Sequence, residues 1–247
     1  MKNKSDDGSI HIDRFSKGIL IENVDFKYAN SKKGALNNIS LNIPTKSSIA
    51  IVGESGAGKT TLVDLITLTN KPQNGRILID NILSNELNKS TWRDKIGYVS
   101  QDTLIFDDTI GNNISMWKDV ENSEIELREA AKKANILEFI QSLPDGFNTL
   151  VGDRGILLSG GQKQRIFIAR ELYRKPDILI LDEATSSLDS ESEKSIQESI
   201  ELLRGKITVI VIAHRLSTIK NVDMIYLLQK GKIIEKGTYK ELKNNIK

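Results

Sequence analysis

The stretch that constrains the fold most is "SSIAIVGESGAGKTTL". A short apolar run, Ser47 to Gly53, ends in a glycine that opens "GESGAGKT", and Gly53 to Thr60 fits the pattern G-x-x-x-x-G-K-[ST] in full. Such a loop works only if a strand feeds it and a helix leaves it, here from Lys59. Its backbone N–H groups must converge on one anion and be backed by a helix N-terminus. Glycines let the backbone wrap that closely, and the helix end adds about 0.3–1 kcal/mol of attraction for negative charge when exposed. Lys59 offers a full cation to β- and γ-phosphates, and Thr60 offers a hydroxyl to Mg²⁺. The loop predicts a nucleotide-binding α/β core.

Other runs supply the remaining strands. "ILILDE" (Ile178–Glu183) and "TVIVIAH" (Thr208–His214) are continuously apolar with polar ends, as parallel strands buried on both faces are. The first places Asp182 and Glu183 at the carboxyl end of a strand, where α/β sheets bind ligands. There Asp182 can orient Mg²⁺, and Glu183 can polarise water as a general base. "GILIENVDFKYA" (Gly18–Ala29) and "ALNNISLNIP" (Ala35–Pro44) alternate as half-buried antiparallel strands do. "GRILID" (Gly75–Asp80) and "IGYVSQ" (Ile96–Gln101) read as further strands, and Asp223–Gly237 as a hairpin turning at Lys230-Gly231. Between these lies a helical region. Ser123–Leu143 reads as one long amphipathic helix: Leu127, Ala130, Ala134, Leu137 and Ile140 keep helical spacing, Ser123 and Glu126 form a capping-box pattern, and Pro144 ends it. A second helix is expected from about Gly161 to Arg174.

Composition narrows the partners. In 247 residues, 35 Lys and Arg balance 33 Asp and Glu for a formal charge of +2, which gives no reason to expect nucleic acid. The chain has no cysteine, so disulfides and thiolate metal sites are excluded. No apolar run approaches the roughly 20 residues that span a bilayer, and the polar start "MKNKSDDGS" lacks a signal peptide's apolar stretch. The opening residues, to about Ser9, are expected to be mobile. His11 lies in this polar lead and is given no role.

The chain also holds a second loop of phosphate-binding type, "LLSGGQKQR" (Leu157–Arg165). Ser159, Gly160 and Gly161 can offer a hydroxyl, backbone amides and a helix dipole to an anion. No Lys-Thr pair and no acidic strand end accompany them. This is half a site, and it needs a nucleotide delivered from elsewhere, most simply by a second copy of the chain.

Here the sequence resembles the nucleotide-binding domain of ATP-binding cassette (ABC) transporters of the exporter type. "LSGGQ", Leu158, Ser159, Gly160, Gly161 and Gln162, looks like the family signature, and the resemblance runs from about Ile19 to Leu242. It implies ATP held by Gly53, Glu54, Ser55, Gly56, Ala57, Gly58, Lys59, Thr60 and Thr61, with Tyr28 of "VDFKY" as an aromatic that stacks on adenine. Gln101 of "YVSQD" resembles the Q-loop glutamine, which contacts Mg²⁺ with Thr60 and Asp182. Ser187 and Asp189 in "SSLD" resemble the D-loop, which packs across a dimer. His214 resembles the H-loop histidine on the γ-phosphate. Glu183, His214, Lys59 and Gln101 are the implied catalytic group. "LVGDRG" (Leu150–Gly155) resembles the exporter X-loop, with Asp153 where glutamate is usual, and Ala57 stands where serine or glycine is commoner.

The resemblance further implies an α/β fold: a P-loop NTPase (RecA-like) core with an antiparallel β-subdomain and a helical subdomain. Residues 1–17 are expected to be a flexible lead, 18–101 and 176–247 the core with its β-subdomain, and 102–175 the helical subdomain. ATP and Mg²⁺ are the implied cofactors. A second such domain, head to tail, and a transmembrane domain are the implied partners, at the cytoplasmic face of a membrane. The expected role is ATP hydrolysis that drives export or lipid flipping, in a domain excised from a longer chain or serving a separate membrane subunit. The alternatives are a non-transport ABC ATPase and a nucleotide-gated binding module. Repair-type members place a very long coiled coil between the two loops, whereas Lys59 and Ser159 are 100 residues apart here.

Overall fold

The computed structural model describes residues 8–31, 33–100, 104–118, 123–182, 190–213 and 219–243. Strands β1 (Gly18–Phe26), β2 (Leu36–Pro44) and β3 (Ser48–Val52) lead into the phosphate loop and helix α1 (Lys59–Ile66). Then come β4 (Asn74–Ile79), β5 (Ile82–Leu83), α2 (Lys89–Arg93) and β6 (Ile96–Val99). The next elements are all helical: α3 (Ile110–Ser115), α4 (Ser123–Lys133), α5 (Leu137–Ser142), two 3₁₀ turns and α6 (Gly160–Tyr173). The remainder is β7 (Ile178–Asp182), α7 (Ser190–Leu203), β8 (Thr208–Ala213), β9 (Met224–Gln229), β10 (Lys232–Gly237) and α8 (Tyr239–Leu242).

Two sheets result. One is antiparallel in the order β2-β1-β4-β5; the other runs β10-β9-β3-β8-β7-β6, parallel from β9 to β6 with β10 antiparallel on its edge. Because successive side chains alternate faces, each buried parallel strand serves two cores. Ile49, Ile51, Ile178, Ile180, Ile210 and Ile212 face one core with α1 and the antiparallel sheet. Ala50, Val52, Leu179, Leu181, Val209 and Val211 face the other, with helices α4, α6 and α7. Each buried aliphatic contributes about 1.5–3 kcal/mol relative to exposure, so both faces resist a one-residue register slip.

The long helix expected over Ser123–Leu143 is two helices. Asn135 adopts a left-handed φ of 54°. The Ile136 N–H donates to the Ala131 carbonyl (3.0 Å) and the Asn135 N–H to the Lys132 carbonyl (3.1 Å). This is a Schellman ending, at a residue type that tolerates that conformation. Apolar spacing hid the break, because Ala130, Ala134 and Ile140 still reach the same core across it. Glu126 receives the Lys175 ammonium at 2.6 Å; the side chain of Ser123 lies outside the described residues.

The lead is not free over its described part. The Gly8 and Ile10 amides donate to the Leu87 and Glu86 carbonyls at 3.1 and 2.9 Å. Ile12 and Phe15 are buried, and the Phe15 ring lies 5.6 Å from that of Trp92. The Trp92 Nε1–H donates to the Ile66 carbonyl at the end of α1 (2.8 Å). Two apolar residues among polar ones leave no periodic trace, yet they suffice to seat residues 8–17 against the core.

The hairpin between β9 and β10 turns at Lys230 and Gly231, with φ of 48° and 74°, as a two-residue turn of the type favoured by strand twist requires. The Gly231 N–H donates to the Ala57 carbonyl (2.9 Å) and its carbonyl accepts from the Asn37 N–H (2.7 Å). The turn thereby ties the phosphate loop to the antiparallel sheet. A Cβ on Gly231 would stand 2.6 Å from the Ala35 oxygen.

Phe15→Ala is expected to lower unfolding free energy by about 3 kcal/mol in urea titration, and His11→Ala by less than about 0.5 kcal/mol. Equal, negligible losses would mean that the lead contributes no packing.

Candidate nucleotide-binding site

Register builds the site. Asp182 pairs with Ile212, and Ile212 with Ile51. The end of β7 is therefore level with the end of β3, two strands away, with their side chains on the α1 face. From β3 the loop turns through Gly58, the N-cap of α1, whose φ of 107° suits glycine. A Cβ there would meet the Ala35 oxygen at 2.8 Å. Lys59 is 5% exposed, and its ammonium donates to the Gly53 and Glu54 carbonyls at 2.9 and 3.1 Å. Its charge is thus held inside the loop rather than in solvent.

Tyr28, Ser55, Gly56, Gly58, Lys59, Thr60 and Thr61 line one cavity of about 630 Å³, together with Lys33 and Gly231. Gly53, Glu54 and Ala57 are not among its lining residues. The Ala57 N–H donates to the Glu54 carbonyl, so its amide serves the loop's own turn rather than a ligand. Tyr28 is 42% exposed. Its ring meets Phe26 edge-on at 4.9 Å, and its hydroxyl shares a hydrogen bond with Thr61 Oγ1 (3.1 Å) and donates to Asp64 Oδ2 (3.3 Å). The ring therefore stands at the cavity edge with one end fixed. Burial raises the Asp64 carboxyl above its ordinary value; the Tyr28 hydroxyl lowers it in part and the Asp182 charge raises it further.

Asp182 accepts from the Tyr98 hydroxyl at 2.5 Å. Among the described residues no group of three His, Cys, Asp or Glu could hold a metal ion. Mg²⁺ requires no such group, since it takes one or two protein oxygens and completes its octahedron with phosphates and water. The Thr60 hydroxyl, on an exposed residue of α1, and the half-buried Asp182 carboxylate are such donors.

The signature residues sit on other elements and line no part of that cavity. Ser159 caps α6: its Oγ accepts from the Gln162 N–H (3.2 Å) while Gln162 Oε1 accepts from the Ser159 N–H (2.8 Å). Ser159 and Gly160 are exposed, Leu158 and Gly161 buried. Ile156 and Leu157, just before the cap, are 77% and 72% exposed. Within α6, the buried Arg170 guanidinium donates to the Asn113 carbonyl (2.6 Å), the Asn113 Oδ1 (3.1 Å) and the Leu104 carbonyl (2.9 Å), and lies over the Phe167 ring. It anchors the segment after β6 to the signature helix. Gln101, Glu183, Ser187, Asp189 and His214 lie outside the described residues.

A family model described as ABC transporter matches residues 36–186. The chain belongs to the ABC transporter family. It is 50% identical over 235 residues to the heterocyst differentiation ATP-binding protein HepA of Nostoc sp. (strain PCC 7120), covering 95% of this chain and 38% of that protein. It is 44% identical over 239 residues to the ATP-dependent lipid A-core flippase of Haemophilus influenzae, covering 97% and 41%. Among solved structures it is similar to a bacterial Atm1-family ABC exporter with ATP bound, with a TM-score of 0.82, 39% identity, and coverage of 99% of this chain and 42% of that one. The chain thus spans about two fifths of the length of these relatives. In sequence and fold it is similar to the ATP-binding part of these ABC proteins, and no helix among its described residues is long and apolar enough to cross a membrane.

In this ABC domain, sequence reasoning passed over Lys33 and Gly231 at the cavity, Asp64 beneath Tyr28, and Tyr98 beside Asp182. None carries a motif. Gly231 was legible only as a turn, and Tyr98 only as a strand residue.

Asp64 yields a pH test. A carboxyl raised by folding contributes stability while protonated, and that contribution is lost as pH rises through the raised folded-state value. Asp64→Asn mimics the protonated form and keeps an acceptor for Tyr28. Without nucleotide it is expected to melt with the parent near pH 3.5 and roughly 1–2 °C above it at about pH 7.5. A lower melting temperature at the higher pH would contradict this account.

Proposed function

We propose that two copies of this ABC domain meet head to tail and power export through a transmembrane partner at the cytoplasmic face of a membrane. Each ATP lies between the Gly53–Thr60 loop of one copy and the Ser159–Gln162 helix start of the other. The observation that carries this reading is the placement of Ser159 and Gly160. They are exposed at a helix N-terminus, outside their own chain's cavity and beside bare Ile156 and Leu157. A helix start of that kind attracts phosphate, and the exposed apolar pair gives a partner something to cover. Residues 102–175 move as the subdomain that presents this helix.

Tyr28 stacks on adenine. Lys59 and the loop amides hold the phosphates and stabilise charge developing on them. Thr60, Asp182 and Gln101 hold Mg²⁺, which when bound neutralises charge on the β- and γ-phosphates. Glu183 polarises the attacking water, His214 holds the γ-phosphate, and Ser187 and Asp189 pack across the pair. The γ-phosphate bridges both copies, so hydrolysis releases them, as ligand-linked assembly requires. Export of a lipid, as the flippase relatives' name indicates for them, is one form such work takes.

Glu183→Gln is expected to keep ATP binding, to lower phosphate release by at least about a hundredfold, and to run as a dimer in ATP during light-scattering chromatography. Adding Ser159→Arg should return it to a monomer. Parental turnover in Glu183→Gln, or a dimer that survives Ser159→Arg, would refute the arrangement.

A further inference from the structure

We infer that Tyr98 is a positioning residue for Asp182, holding the carboxylate in the orientation that meets a divalent cation. This rests on the proposed role of Asp182 at Mg²⁺. Parallel pairing sets Tyr98 opposite Ile180. Asp182 lies two residues further along β7, so Tyr98, Ile180 and Asp182 present side chains on the same face. A phenol is long enough to span that diagonal, and its hydroxyl stops 2.5 Å from Asp182 Oδ2, at the short end of O–H···O⁻ bonds.

Both ends of the tyrosine are held. Its ring packs against the isoleucine-lined core. Its backbone N–H, on the edge strand β6, meets the buried Glu171 carboxylate of α6. The hydroxyl therefore comes from a fixed platform. Asp64 on α1 places a second negative charge within reach of Asp182, and like charges drive a mobile carboxylate to other rotamers. A neutral donor counters that movement without cancelling the charge that attracts a cation, as a lysine would. Groups that orient a metal's ligands in this way are worth roughly 10–100-fold in metal affinity.

The test compares the affinity of a fluorescent ATP analogue in Mg²⁺ and in EDTA, for the parent, Tyr98→Phe and Asp182→Asn. Manganese titration by electron paramagnetic resonance, in the presence of ATP, gives a second readout. Tyr98→Phe is expected to lose roughly tenfold of the magnesium-dependent enhancement, with unchanged affinity in EDTA and a matching weakening of manganese binding. If Asp182→Asn loses the enhancement while Tyr98→Phe keeps it, the inference is overturned and the metal reading stands. If Asp182→Asn also keeps it, the metal reading falls and takes the inference with it. Equal weakening in Mg²⁺ and EDTA for Tyr98→Phe would indicate a packing role and overturn the inference. Should Tyr98→Phe fail to fold, Tyr98→His, which retains a donor, is expected to keep more of the enhancement than Tyr98→Leu; equal values overturn it.

Discussion

The parallel ladder through β9, β3, β8, β7 and β6 is the constraint on which the rest depends. Its hydrogen bonds set Ile51, Ile212 and Asp182 at one level, so strands far apart in sequence end along one edge. A parallel sheet must be covered on both faces, and here the alternation of isoleucine with alanine, valine and leucine supplies two different cores. The same register that buries those side chains delivers the phosphate loop and an acidic strand end to a common rim. A slip of one residue would turn Asp182 into the helical core and Leu181 toward the phosphate loop. Binding geometry and stability therefore cannot vary independently.

The two faces then divide the work. On the α1 face lie the phosphate loop, Tyr28 and the hairpin turn at Gly231, which holds the loop by a single amide at 2.9 Å. On the other face α6 carries the signature, and Arg170 fastens it to the backbone at Leu104 and Asn113. That segment directly follows the stretch holding Gln101. A buried guanidinium satisfied by three oxygens and set over an aromatic ring joins the backbone at Leu104 and Asn113 to the signature helix.

Electrostatics at the rim is deliberately unbalanced. Lys59 is sequestered among carbonyls, while Asp64 and Asp182 sit close enough for one charge to raise the other's protonation. Natural sequences accept local destabilisation of this kind where a charged ligand is to be bound.

Short motifs and local periodicity determined much of this protein. The Gly53–Thr60 pattern and the apolar run before it sufficed for the loop, β3 and α1. The continuous apolar runs within Ile178–Glu183 and Thr208–His214 sufficed for buried parallel strands, and Leu158–Gln162 for the family. Each is encoded within ten residues, where backbone geometry and nearby side chains decide the outcome. Only the tertiary structure decided that Phe15 seats the lead on Trp92, that the helical run breaks at Asn135, and that Tyr98 reaches Asp182 across 84 positions of chain. It also decided that Ile156 and Leu157 stay bare. These outcomes depend on which distant surfaces meet and in what register, and that choice is made by the summed burial of both sheet faces. No local pattern carries that sum.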